Sequence, residues 1–467
     1  MSGRRPLWGL LAAFAVARTG TAVSAIALPW YVLVTTDSAV RTGLVAFCEL
    51  VPYVAAKALA GPVADRAGPR TVSWTTDLVS ALCIGLIPLL AAAGALPFRL
   101  LLVLVALIGA ARGPGDLAKE VMVPEAADRS GVPMERATGL SGVVERLAGT
   151  VGPAVGGVLV ALTGALAGLA ANAVCFALGS LIIAAALPRG MGAAPPGPSP
   201  EGPGSAGAAS EPGYWRRFAE GLAYFRTDRL LSGVIVLVAV TNFLDAAFSS
   251  VLLPLWARES GHGTSAVGLV GSCFGAAAIA GSVTAAAVAH RLRRRPVFLL
   301  GFLISGAPKF GVLALASDGA IPLGAALVLF TVSGFGAGFI NPIIGAIVFE
   351  RVPRYVLGRT QAFGDSLAAA GIPLGGLVAG AAVSAAGLLP VLLAATAVYL
   401  TATTVPALLP SWRDMDRRPG RAAGPAGQAP PTPTTPPTSS TPSISATPPT
   451  AAAGAGSAAG DTGPVAT

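Results

Sequence analysis

Apolar runs of membrane length, separated by short polar connectors, recur along almost the whole chain. A helix needs about 20 mostly apolar residues to cross the hydrocarbon core of a bilayer. Runs of that kind fall at roughly 7–34, 42–62, 72–94, 98–118, 137–163, 166–187, 231–255, 266–289, 297–316, 321–347, 361–385 and 388–409. They predict twelve spanning helices. The shortest turns come after the fifth and the eleventh, where Gly164 and Gly387 stand alone between apolar runs. The first run follows Met-Ser-Gly-Arg-Arg and is too long for a signal-peptide core. It also has no convincing small-residue cleavage site, so it reads as a retained first span.

The charge pattern orients these spans. Of the 31 Lys and Arg, 24 fall on the side that carries the N-terminus, four inside spans (Arg18, Lys57, Arg146, Lys309), and only Arg41, Arg99 and Arg258 on the other side. Basic residues concentrate on the cytoplasmic side of membrane proteins, so the pattern predicts an even number of spans with both termini cytoplasmic, in the cell membrane. Charged residues make up only 11% of the chain, against about 25% in soluble domains. The net charge of +9 sits in juxtamembrane connectors rather than in a basic stripe with aromatics, which excludes nucleic acid as a partner. Four cysteines lie far apart inside apolar runs, and two histidines, His262 and His290, cannot build a metal site alone. No metal and no cofactor is expected.

Composition also divides the chain. A six-helix half is expected over 1–188 and a cytoplasmic linker over 189–230, the latter Gly/Pro/Ser-rich and then amphipathic from Tyr214. A second six-helix half follows over 231–410, then a Pro/Thr/Ser-rich tail over 411–467 expected to be disordered. Gly152, Pro153, Gly156 and Gly157 in span 5 are echoed by the GIPLGG run at 371–376 in span 11, and the span 2–3 connector by the run at 287–296. The halves therefore read as pseudo-repeats, with a substrate path between them.

Between spans 2 and 3, Gly61, Asp65, Arg66, Gly68 and Arg70 form a dense polar turn, with Pro69 inside it. This run resembles the loop signature of the major facilitator superfamily, in which Pro69 stands where an Arg is usual. The Gly-Pro-x-x-Gly-Gly run of span 5 resembles the helix-5 motif of the family's antiporter branch, with Ala148 where a Gly is usual. The stretch at 218–231 and Val123-Pro124-Glu125 resemble twelve-helix bacterial exporters related to the macrolide and enterobactin exporters. The resemblance covers about residues 5–410. It implies an all-α membrane protein of twelve helices in two six-helix pseudo-repeats. It also implies that Arg66 and Arg70 latch the halves on the cytoplasmic side, with Asp365 as the cross-half partner of Arg66, and that the monomer is the working unit.

Charges at mid-bilayer are costly and normally face a cavity or a partner. Arg18, Glu49, Glu145 and Arg146 lie at similar depth in the first half, where they either neutralise one another, with Arg18 and Arg146 as the charge partners in the cavity, or leave a carboxylate, Glu49 first and Glu145 after it, free to carry a proton. Asp245, near the middle of span 7, has no charged neighbour in sequence and is a second proton-site candidate; a hydrogen bond to Asn242 is the bland alternative. Arg112 and Asp116, one turn apart in span 4, are expected to pair with each other or with the loop signature in a gate. Glu49, Tyr53 and Lys57 share one face of span 2 by their four-residue spacing, and that face is expected to look at the cavity. Asp77 and Lys57 are expected to snorkel, and Lys309 has no assigned role.

The expected activity is export of small amphipathic compounds by proton antiport, with alternating access. The partners are then a small molecule, protons and the lipid bilayer. A proton-coupled importer or facilitator of the same fold remains the alternative. An intramembrane enzyme would need a convergent His/Asp/Glu cluster, and a sensor would more naturally carry a folded soluble domain. The chain lacks a phosphate-binding loop of the ATP-driven kind.

Overall fold

The computed structural model describes residues 5–192, 228–288, 292–317, 319–352 and 357–416. Twelve of its helices are long and apolar enough to cross a membrane. Spans 1 to 6 are Arg5–Thr36, Ala39–Gly61, Pro69–Ala92, Phe98–Arg129, Arg136–Thr163 and Ala165–Ala186. Spans 7 to 12 are Arg229–Glu259, Gly263–Ala285, Arg294–Ser317, Leu323–Val348, Gly364–Ala386 and Leu388–Leu408. Helices satisfy their own backbone polar groups, which lipid cannot do. The spans alternate in direction. Their connections therefore gather at two ends: a terminal end holding Gly68 and both outermost helix ends, and a far end holding the turns at Gly164, Gly261 and Gly387.

Gly164 and Gly387 each close a helix with a single residue. Both have positive φ, 86° and 85°, and each donates its N–H to the carbonyl four residues back, Val160 at 2.9 Å and Val383 at 2.7 Å. A residue with a Cβ is strained in that region of backbone space, so the two shortest turns demand glycine.

Span 4 runs eleven residues past the predicted limit of 118, to Arg129. The polar residues that ended it on hydropathy grounds, Lys119 and Glu120, lie within the helix and are held by partners. Span 7 contains a π-helical turn at Phe248–Leu252, just before Pro254. Proline lacks the N–H of the regular ladder, and π-turns accommodate such irregularities inside α-helices. Spans 10 and 11 are each interrupted once, at Phe339 and at Gly371 ahead of Pro373.

Apolar packing in the first half forms two clusters, one around Val105, Leu169 and Phe176 and one around Leu10, Met122 and Ile183. A single larger cluster in the second half centres on Phe298, Phe310, Trp256 and Tyr399. It takes in residues predicted to begin a disordered tail. Pro410–Met415 is a short 3-10 helix, Trp412 is 1% exposed and Asp416 accepts the Arg295 N–H at 3.0 Å. Trp412 and Met415 are large enough to join the core, which composition averaged over the tail obscures. At the linker's start, Met191 is likewise buried, and the Gly192 N–H donates to Glu125. The amphipathic stretch from Tyr214 and the remainder of the tail lie outside the described residues.

The halves meet along two seams, span 2 against span 11 and span 5 against span 8. Small residues let the backbones touch, as in other membrane-helix contacts. A Cβ on Gly157 would stand 2.7 Å from the Gly268 Cα, and one on Gly268 would stand 2.6 Å from the Pro153 carbonyl oxygen. Thr264 donates to the Gly157 carbonyl at 3.2 Å. Across the other seam, Gly43 faces the Gly376 backbone and Gly380 faces Ala39. Arg258 ties the far end further, to Asp37 at 2.5 Å and to the Leu33 carbonyl at 3.2 Å.

Candidate functional site

A cavity of about 380 Å³ lies between the halves. Thr21 and Ser24 of span 1, Glu49 of span 2 and Arg112 of span 4 line one wall, and Asp245 and Ser249 of span 7 line the other. Two of the three proposed proton carriers, Glu49 and Asp245, therefore face one space. The third, Glu145, does not line it.

The wall from the first half rests on a helix pair of uncommon regularity. Spans 2 and 4 run in the same direction, and Gly109 and Gly113 bring span 4 against the backbone of Glu49, Tyr53 and Lys57. Side chains then pair at a constant offset of 63 residues. Glu49 accepts from Arg112 at 2.7 Å, the Tyr53 hydroxyl donates to Asp116 at 3.2 Å, and Lys57 donates to Glu120 at 3.0 Å. Positions i, i+4 and i+8 share a face on each helix, so three rungs form a ladder. The Arg112 guanidinium also lies over the Tyr53 ring, 4.8 Å from its centroid.

This ladder corrects three expectations. Arg112 and Asp116 neither pair with each other nor reach the loop signature; both turn sideways to span 2. Tyr53 and Lys57 face span 4, while Glu49 alone of that row lines the cavity. Glu49 is neutralised by Arg112 rather than by Arg18. Arg18 instead sits among Asp116, Glu120 and Glu145 at 3.8, 3.9 and 3.7 Å, ion-pair distances beyond hydrogen bonding. Arg146 leaves the group altogether and donates across the seam to Ser282 at 3.3 Å. The row Arg112, Asp116, Glu120, facing Glu49, Tyr53 and Lys57, is the sequence signal for this ladder. Glu120 was missed because hydropathy placed it in a connector.

Beneath the ladder, Asp77 of span 3 accepts from Lys119 of span 4 at 2.7 Å, both side chains 1% exposed. Asp77 does not snorkel: Gly115 and Gly179, small residues either side of the pair, let the helices close over it, while Lys57 ends on Glu120.

In the second half Asp245 is not unpaired. Lys309 of span 9 reaches it at 2.5 Å. Asn242, the predicted alternative partner, donates instead to the Ala368 carbonyl at 3.0 Å. The Lys309 side chain is 5% exposed and its ammonium lies within 5.6–5.8 Å of the ring centroids of Phe248, Phe274, Phe310 and Tyr399. The π-turn in span 7 begins at Phe248, one of these four rings.

At the terminal end the expected latch is not formed. Arg66 and Asp365 are both exposed and share no ion pair. Arg70 bonds within its own half, to the Leu187 carbonyl at 2.9 Å and the Ala184 carbonyl at 2.6 Å on span 6. Gly61 and Gly68 have open space where a side chain would stand, and the Asp65 side chain lies outside the described residues. The span 5 motif divides its contacts. Gly152 and Gly156 pack on Ala22 and Val23 of span 1, while Pro153 and Gly157 face span 8. Among the described residues no group of three His, Cys, Asp or Glu could hold a metal ion.

The arrangement of two six-helix bundles has parallels among known proteins. The family described as transmembrane secretion effector matches residues 5–423. The chain is 31% identical over 421 residues to the multidrug efflux pump Tap of Mycobacterium tuberculosis, covering 90% of this chain and 96% of that one. Tap of Mycolicibacterium fortuitum is 30% identical over 417 residues, covering 88% and 98%. Among solved structures, the nucleoside transporter NupG superposes with a TM-score of 0.62 at 17% identity, covering 88% of this chain and 98% of that one. A bacterial homologue of the human lysosomal transporter Spinster, inward-facing and unoccupied, gives 0.63 at 13% identity, covering 89% and 97%. The structural likenesses carry the fold, and the sequence match carries the family. The chain belongs to the transmembrane secretion effector family of the major facilitator superfamily and is a multi-pass membrane protein of twelve spans.

Proposed function

We propose that this protein exports small amphipathic compounds, drugs or natural products, out of the cell in exchange for protons, with both termini cytoplasmic and without catalysing a chemical reaction. The observation that carries this reading is the cavity between the halves, with one carboxylate on each wall. The relatives named multidrug efflux pumps support the direction of transport. With the termini inside, the far end is the outer face, the two seams close it, and the cavity belongs to the inward-facing state.

Alternating access then exchanges one closure for another. The seams of span 2 with 11 and of span 5 with 8 part at the outer face. Arg66 and Asp365, now apart, approach at the inner face as the loop signature closes. Glu49 is the coupling carboxylate in this scheme. Protonation removes its charge and frees Arg112, which then leans on Tyr53 and Asp116 one rung below. Inward movement of the proton down the membrane potential supplies about 2.3 kcal/mol per charge per 100 mV. Glu145 is a weaker candidate: it does not line the cavity, and its ion pair with Arg18 stands at 3.7 Å, beyond hydrogen bonding.

The test is proton flux in inverted vesicles, followed by a fluorescent pH probe while lipophilic compounds are added. Wild type should release protons on compound addition, and Glu49→Gln should not. Compound movement without any proton response in wild type would overturn antiport. An unaltered response in Glu49→Gln would remove Glu49 from coupling.

A further inference from the structure

Asp245 and Lys309 take no part in the coupling assigned to Glu49, yet they place a carboxylate on the cavity wall with a lysine behind it. The members of the pair are unequally placed. Asp245 is 45% exposed and lines the cavity, whereas Lys309 is 5% exposed and reaches it from span 9. The lysine bonds one carboxylate oxygen, Oδ1, and the other has no hydrogen-bond partner among the described residues. Across the cavity the arrangement differs. Arg112 itself lines the cavity beside Glu49, so the counter-cation there is part of the wall.

The lysine also has a second source of attraction. Aromatic ring faces attract cations, and four rings surround this ammonium. The fourth, Tyr399, fits because Gly306 precedes Lys309 by one turn; a Cβ there would overlap the ring. A carboxylate with an unoccupied oxygen on the cavity side, and a counter-cation with a ring cage to hold it, form an arrangement in which cations can exchange.

We propose that Asp245 recognises a positively charged group on the transported compound, and that Lys309 is a tethered cation which occupies Asp245 in the empty state. Binding moves the ammonium off Oδ1 and back among the rings; no covalent bond changes. In the empty cavity the tethered lysine spares the protein a bare mid-membrane carboxylate, which is costly. A hydrated inorganic cation gains too little to displace it, because it must shed water. An organic cation brings apolar surface that the cavity wall can bury, and this sets the preference. The proposal rests on the export reading only for the identity of the cargo, and binding is measured apart from transport.

The experiment is ethidium binding to the purified full chain in lipid nanodiscs, followed by fluorescence, with a neutral naphthylamine dye as the control. Lys309→Met removes the competitor and should tighten ethidium binding about tenfold, and Asp245→Asn should weaken it about tenfold. Lys309→Arg presents a planar fork that can hold both carboxylate oxygens, and should weaken ethidium binding about fivefold. This variant keeps the buried charge and serves if Lys309→Met does not fold. The neutral dye should respond to none of the three. Ethidium affinity unaltered in both Lys309 variants, or weakened by Lys309→Met in folded protein, would overturn the proposal. Ethidium binding in the expected order with no compound movement in vesicles would overturn export and leave the site standing. Coupled transport with ethidium affinity indifferent to Asp245 and Lys309 would do the reverse.

Discussion

The Asp77–Lys119 pair offers the sharpest test of how this fold is held together. Both side chains are 1% exposed, and their charged atoms are 2.7 Å apart. At an effective dielectric of about 20, two unit charges at that distance attract by roughly 6 kcal/mol. Desolvation consumes much of that attraction, so the intact pair is worth far less than its Coulomb energy. Removing one member is different, because the other is left buried without a partner. Asp77→Asn keeps the shape and deletes the charge, and should cost about 3–5 kcal/mol. For a cooperative unit of 150–250 residues such a loss lowers the melting temperature by roughly 6–20 °C. Thermal unfolding of the purified protein in detergent, followed by tryptophan fluorescence, measures it. Replacing both members, with Asp77→Asn and Lys119→Met together, should recover most of the loss, since no lone charge remains. A single variant that melts within about a degree of wild type would refute the reasoning. So would a double variant as unstable as the single.

Two further outcomes follow from the packing. Gly157→Val places a branched side chain where even a Cβ would stand 2.7 Å from the Gly268 Cα. The span 5–8 seam should then stay parted, seen as a longer spin-label distance across the far end and a transport rate down by about tenfold or more. Trp412→Ala empties a site 1% exposed beside Phe298 and Gly233. It should lower stability by about 3–5 kcal/mol in the same melting assay, whereas a truly tail-like tryptophan would leave the melt unaltered.

Much of the architecture is legible in sequence for a physical reason. Lipid enforces runs of about 20 apolar residues, so span number survives errors at span ends. The one-residue turns at Gly164 and Gly387 were visible because nothing else polar separates the apolar runs there. The glycines of span 5 announced a close backbone approach, although not that Gly152 and Gly156 face span 1 while Gly157 faces span 8. Charge pairing was the poorly legible part. Lys309 and Asp245 stand 64 residues apart in sequence, and no local pattern joins them; only the packing of span 9 on span 7 does. Lys119 was read as loop because hydropathy scores a buried ion pair, here with Asp77, as if it were solvated, and Glu120 because hydropathy does not see its cross-helix partner Lys57. Arg70 was read by resemblance as a bridge between halves, whereas backbone carbonyls at the end of span 6 lie nearer to hand.

The glycine seams also bear on the thermodynamics of switching. Where the halves touch through glycine and backbone, few side chains change rotamer when the seam parts, and little apolar surface passes between protein and water. Heat-capacity change scales with apolar area exposed. The balance between the two closures should therefore carry a small heat-capacity term and vary gently with temperature, leaving the charges on the cavity walls as the main quantities that decide which end is open.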